Sequence, residues 1–223
     1  MKLKLAIVFF SAILAVQPLR ARAAMYITEW AYNAAYQGTT NGEFVEFTNI
    51  GDTPIDMTGW SFDDISQVPG STNLSAFGVV APYESVILTD VPAAGFRTEW
   101  GLPSSVKVIG DNTQNLSRAD EINLYNGATR VDWLTYDDQT LGGPRTNAAS
   151  GNPKTLAAVG AHNPTQWILS TAGDAFGSHV SVGGTIGNPG VFTLVPEPSV
   201  GGLLALVLAA WGLRPQISRG HYC

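Results

Sequence analysis

The sequence predicts an all-β domain built as an antiparallel β-sandwich, flanked by an N-terminal signal helix and a C-terminal hydrophobic helix. Three observations carry this. Only 13% of the 223 residues are charged, whereas helical proteins typically build their polar faces from Lys and Glu. The chain holds 24 Gly and 13 Pro, and these cut it into short segments separated by turns. Between the turns, short runs alternate apolar and polar residues, the period of a strand with one buried face.

Eight such runs are expected strands: 25–30, 43–49, 59–62, 85–89, 105–109, 121–125, 130–136 and 166–169. Within the second, Val45 and Phe47 point one way and Glu46 the other. Ile122 and Leu124 repeat the pattern against Glu121 and Asn123. Asn49-Ile50-Gly51-Asp52 and Ala81-Pro82 read as turns, and Tyr125-Asn126-Gly127 as a hairpin. Ile55 and Met57 are expected to re-enter the core. Gly59 is expected to permit a close backbone approach before Trp60, whose large ring belongs in the core. No long amphipathic helix is visible.

The two ends carry targeting patterns. Lys2 and Lys4 precede an almost unbroken apolar run at 5–16, and Ala21-Arg22-Ala23 supplies small residues at a cleavage site. Residues 1–23 therefore read as a Sec-type signal peptide cut after Ala23. The run is too short for a spanning helix, which needs roughly 20 apolar residues. The domain follows at 24–192 and a tail at 193–223. In the tail, Pro196, Glu197 and Pro198 precede an apolar helix at 200–213, then Arg214 and Arg219. That order resembles the PEP-CTERM sorting signal of exported bacterial proteins. The resemblance implies processing near the Pro-Glu-Pro motif by an exosortase-type protease, with the tail helix in the membrane beforehand. It also implies a destination at the cell surface, in the outer envelope or outside the cell.

Charge and cysteine usage exclude several function classes. Residues 24–198 hold six basic residues against all eighteen acidic ones, a net charge of −12. Such a body repels phosphate backbones, so nucleic acid is excluded as a partner. Cys223 is the single cysteine, which leaves no intrachain disulfide, zinc knuckle or cysteine nucleophile in the domain. The chain has no Gly-x-Ser-x-Gly elbow, phosphate loop or dinucleotide fingerprint. His162 and His179 form no ligand-spaced pair.

Residues 42–64, GEFVEFTNIGDTPIDMTGWSFDD, closely resemble the signature of the lamin-tail domain, with Glu43, Phe44, Val45, Glu46, Asn49, Gly51, Gly59 and Trp60 as the matching positions. Later pieces resemble the same family: 82–88, 117–125, Val131-Asp132 leading to Tyr136, Trp167, and Gly187-Asn188-Pro189-Gly190. The resemblance spans about Tyr26 to Gly190. It implies an immunoglobulin-like sandwich serving as an interaction or structural module, and it supplies no catalytic residues.

Site residues have competing readings. Asp52, Asp56, Asp63 and Asp64 lie near turns, where oxygen ligands for Ca²⁺ occur, yet no EF-hand loop is present and calcium needs six to eight oxygens. Solvated turn residues are the simpler reading, and no other cofactor is implied. Glu43 and Glu46, three apart on one strand, face opposite sides and so cannot flank one bond; they read as polar-face residues. Asp137-Asp138 matches no motif. Tyr32, Tyr36, Trp100 and Tyr136, if exposed, would stack on sugars. The function expected is a non-catalytic exported protein, sorted to the surface or matrix and meeting extracellular polysaccharide or envelope components. The alternatives are a secreted polysaccharide- or calcium-binding module, and an extracellular hydrolase built on a deep cleft with coupled acids or His162.

Overall fold

A computed structural model describes residues 24–39 and 42–193. The expected signal peptide with Ala23, the Pro196-Glu197-Pro198 motif and the apolar helix at 200–213 lie outside the described residues. Fourteen strands and one α-helix are described. They are β1 (Met25–Ala31), β2 (Phe44–Asn49), β3 (Ile55–Asp56), β4 (Trp60–Asp63), β5 (Thr72–Asn73), β6 (Val79–Val80) and β7 (Ser85–Thr89). Helix α1 (Ala93–Trp100) follows, then β8 (Lys107–Ile109), β9 (Ala119–Asn126), β10 (Thr129–Asp137), β11 (Gly151–Pro153), β12 (Trp167–Leu169), β13 (His179–Val180) and β14 (Ile186–Gly187). Among the described residues no helix is long and apolar enough to cross a membrane.

All eight expected strands form, and they build two sheets. One is six-stranded in the order β12-β11-β1-β2-β7-β8; the other is four-stranded, β10-β9-β4-β5. The sheet faces that meet share one core, in which Trp30, Phe47, Met57, Phe62 and Tyr136 are almost fully buried. Trp30 anchors it, packing edge-on to Trp167 at 4.7 Å and tilted against Tyr136 at 5.2 Å. Such aromatic pairs add about 1 kcal/mol beyond the area they bury.

The all-β sandwich is therefore observed, with corrections. Strand β8 runs parallel to β7, because α1 crosses between them and returns the chain in the same direction. Helix α1 itself was not expected: eight residues with Gly95 in the first turn carry little periodicity. It is stopped by Gly101, whose left-handed conformation is the usual helix terminator. Trp100 and Tyr136 are buried, at 3% and 1% exposure, so neither is a surface platform. Gly59 has open space where a side chain would sit and is required for its φ of +79°, a conformation that favours glycine, and close approach plays no part. Asn49 pins the turn after β2: its Nδ2 donates to the carbonyls of Thr53, Val80 and Ala81, and its Oδ1 accepts from Gly51 N–H.

The outer face of the six-stranded sheet is not the solvated polar face that alternation predicts. Phe44 and Ile87 pack there against Phe96 and Trp100 of α1. Every residue of β2 is buried, including Glu46 and Thr48. The cover is α1 together with the C-terminal strap, residues 178–190.

Candidate functional site

Strand β2 presents two glutamates to two different places. Glu43, just before it, opens onto a cleft of about 730 Å³. Tyr32 follows β1 into this cleft. Tyr36, Gln37 and Thr39 come from the turn 36–39, which two backbone hydrogen bonds between Tyr36 and Thr39 close. Asp90 lies after β7, and Asn112, Thr113 and Asn115 come from the loop leading to β9. The β2–β7 ladder sets Phe44 opposite Thr89, and one step further Asp90 N–H donates to Glu43 O at 3.3 Å. Glu43 and Asp90 are thus cross-strand neighbours, a pairing that brings Cβ atoms to about 5 Å.

Among the described residues no lysine or arginine lines this cleft. Glu43 is 5% exposed, and its Oε2 accepts from Leu116 N–H at 2.6 Å. Burial pushes its carboxyl up to about 8. Burial also pushes Asp90 up to about 6, and Oδ1 of Asp90 is closed off from solvent with no hydrogen-bond partner among the described residues. Tyr36 keeps its place because Gly95 of α1 carries no side chain: a Cβ there would lie 2.1 Å from the Tyr36 hydroxyl. The Tyr32 hydroxyl accepts from Arg145 Nε at 3.3 Å.

Glu46, on the opposite face of the strand, lies in a closed acidic layer. A bulge at Thr28 shifts the β1–β2 register so that Glu29 pairs with Glu46, and both carboxylates are fully buried on the same side. Glu46 Oε1 accepts from Thr28 Oγ1 at 2.7 Å, and its Oε2 from Gly190 N–H at 2.7 Å. Glu29 Oε1 accepts from Ser150 Oγ and, at 2.9 Å, from Asn188 N–H. Glu99 of α1 accepts from Ser181 Oγ and Gly183 N–H. Each of the three glutamates is tied to the strap by a backbone amide. Burial first, then the neighbouring Glu46 carboxylate, holds Glu29 well above the usual carboxylate range. Burial likewise raises Glu46, against the hydrogen bonds from Thr28 and Gly190. The reading of Glu43 and Glu46 as solvated polar-face residues is thereby corrected: they do face opposite sides, but both are buried.

The remaining sequence candidates are dispersed. Asp56 Oδ1 accepts from the Thr58 N–H and hydroxyl at the surface. Asp63 Oδ2 accepts from Ser66 Oγ and Val68 N–H, and Asp64 Oδ1 from Ser66 N–H; Asp52 is exposed. Three of the four thus stabilise local turns, and among the described residues no three Asp, Glu, His or Cys side chains form a group that could hold a metal ion. His162 stacks on Trp133, with ring centroids 3.4 Å apart, beside Asp132 at 3.3 Å. His179 meets the edge of Trp100. Neither histidine lines the cleft, and the coupled acids Glu29 and Glu46 are sealed away from it. Asp138 pairs with Arg118 at 2.6 Å, and Asp137 accepts from Gln139 N–H and the Thr140 hydroxyl.

The family model of the lamin tail domain matches residues 19–138, more than half of the chain. The chain belongs to this family. The chain matches no curated protein and no solved structure. The lamin tail domain is an immunoglobulin-like, non-enzymatic module. Here the match closes at Asp138, short of Trp167 and of Gly187-Asn188-Pro189-Gly190, so β11, β12 and the strap lie beyond it. The matched signature residues divide by role in this fold. Val45 and Trp60 fill the inner core, Phe44 packs under α1, and Asn49 and Gly51 make the turn. Glu43 and Glu46 serve the cleft and the closed layer.

Proposed function

We propose that this lamin tail domain protein is exported, sorted to the cell surface or matrix, and acts there as a non-catalytic interaction module for polysaccharide or envelope components. The observation that carries the reading is the pair of targeting patterns on either side of the domain. Ahead of β1 stand Lys2, Lys4, the apolar run at 5–16 and the Ala21-Arg22-Ala23 site. Behind the strap stand Pro196-Glu197-Pro198, the apolar run at 200–213 and Arg214. The acidic body agrees with a partner that is not a polyanion.

Intact-mass analysis of the protein recovered from its native host, with and without the exosortase, tests the proposal. The expected result is a chain beginning at Ala24 that loses the residues after the Pro-Glu-Pro region only when the exosortase is present. A C-terminus reaching Cys223 in both backgrounds overturns the sorting reading.

A further inference from the structure

We propose that the cleft between Glu43, Asp90, Tyr32 and Tyr36 binds amino sugars, that is, saccharide units carrying a free, positively charged amine. The inference deepens the polysaccharide part of the function proposed above. At about 730 Å³ the cleft falls within the range of small-molecule sites, and its chemistry narrows the ligand. Glu43 and Asp90 are neighbours across the β2–β7 ladder and both line the cleft, with no lysine or arginine beside them among the described residues. Uronic acids and phosphorylated or sulfated sugars are therefore repelled, and a cation is drawn in. A bare divalent ion would find too few ligands, since among the described residues no third acidic or histidine side chain joins the pair.

The rest of the lining suits a hydroxyl-bearing ring. Two half-buried tyrosines contribute apolar surface and π-faces, which attract both sugar C–H groups and an ammonium. Exposed amide and hydroxyl side chains, among them Gln37, Thr39 and Asn115, both donate and accept hydrogen bonds. An ammonium in the cleft would pair with the Asp90 carboxylate that lines it. Burial raises both carboxyls, Glu43 further than Asp90, so Asp90 is the more readily ionised partner for an amine.

Calorimetric titration of the full chain in mild detergent at neutral pH tests this. The probes are glucosamine oligomers, their N-acetylated counterparts, neutral gluco-oligosaccharides and oligolysine. The expected result is binding of the glucosamine oligomers at least 10-fold tighter than of either neutral series. The same preference is expected to fall at least 10-fold in Asp90→Asn and in Tyr36→Ala, with circular dichroism confirming that both variants fold. Three outcomes overturn the proposal: no binding of any saccharide, equal affinity for acetylated and free-amine oligomers, or oligolysine binding as tightly and surviving Tyr36→Ala. The last would assign the cleft to a basic peptide. Because no step depends on tail processing, failure here leaves the sorting reading to its own mass measurement.

Discussion

Glu43 and Glu46 sit three residues apart around the start of one strand, both buried, yet their surroundings are opposite. Around Glu46 every donor is protein: Thr28, Thr48 and the Gly190 amide converge on it, and the strap seals it from water. Around Glu43 a single amide is committed, and among the described residues Oδ1 of the neighbouring Asp90 has no partner. The first arrangement spends burial on holding the fold shut. The second places two carboxyls along an open cleft, at a cost in stability, which is how binding sites differ from cores. Buried carboxylates alone do not mark a site: among the described residues Glu29 Oε2 in the closed layer lacks a partner as Asp90 Oδ1 does, and what separates the two places is that one opens onto a cleft.

Substitutions break or sharpen this contrast. The largest effect is expected at Gly187, where an added Cβ would lie 2.8 Å from Glu29 Oε1, 2.8 Å from Ser150 Oγ and 3.0 Å from Trp100. Gly187→Val should lift the strap and cost about 3 kcal/mol in urea unfolding, the upper end for overpacking. A near-neutral result would mean that the layer is not closed.

Next comes pH. Burial raises Glu46 to about 7, Glu43 to about 8, and Asp90 and Asp132 each to about 6, from ordinary values of 4.5 for Glu and 3.8 for Asp. Between those ordinary values and the raised ones, the native state binds protons that the unfolded chain has released. Stability therefore falls as pH rises from about 5 to about 8, by up to ~1.4 kcal/mol per pH unit for each proton retained. Relaxation and water penetration around the ionised carboxylates blunt the full shifts, so a net loss of about 2 kcal/mol across the window is expected in thermal melts, smaller in Glu46→Gln. Stability that increases over this range would contradict the burial of these groups. The smallest effect has the opposite sign. Asp90→Asn should raise stability at neutral pH by about 1 kcal/mol, discounted because Asp90 keeps some solvent access, and a loss instead would place Asp90 with the closed layer.

Much of the scaffold was legible in the residues. Alternation around Val45, Phe47, Ile122 and Leu124 located central strands, and Asn126-Gly127 located the hairpin, whose Gly127 adopts φ +56°. Strand β11 was not visible because Pro153 and Gly151 speak against a strand, and the two-residue strands are shorter than any periodic signal. The closed layer escaped for a different reason. Glu46 and Thr48 alternate with apolar residues as a solvated face would, and only the strap, more than a hundred residues later, decides that they are buried. Nor does any local pattern announce the Thr28 bulge that turns Glu29 toward Glu46. Of the cleft, Tyr32 and Tyr36 were visible as sugar-stacking candidates, whereas Asp90 was not, since its pairing with Glu43 exists only through the β2–β7 register.

The strap also sets an order in time. Asn188 reaches Glu29 across 159 residues and Gly190 reaches Glu46 across 144, so these contacts are among those that close the longest loops of the domain and carry a large entropic delay. A chain emerging from its N-terminus has β1 and β2 in hand long before the amides that satisfy their glutamates. Until residue 190 is free to dock, the outer face of the six-stranded sheet is unfinished, and the last stretch of the domain to appear is the one that completes it.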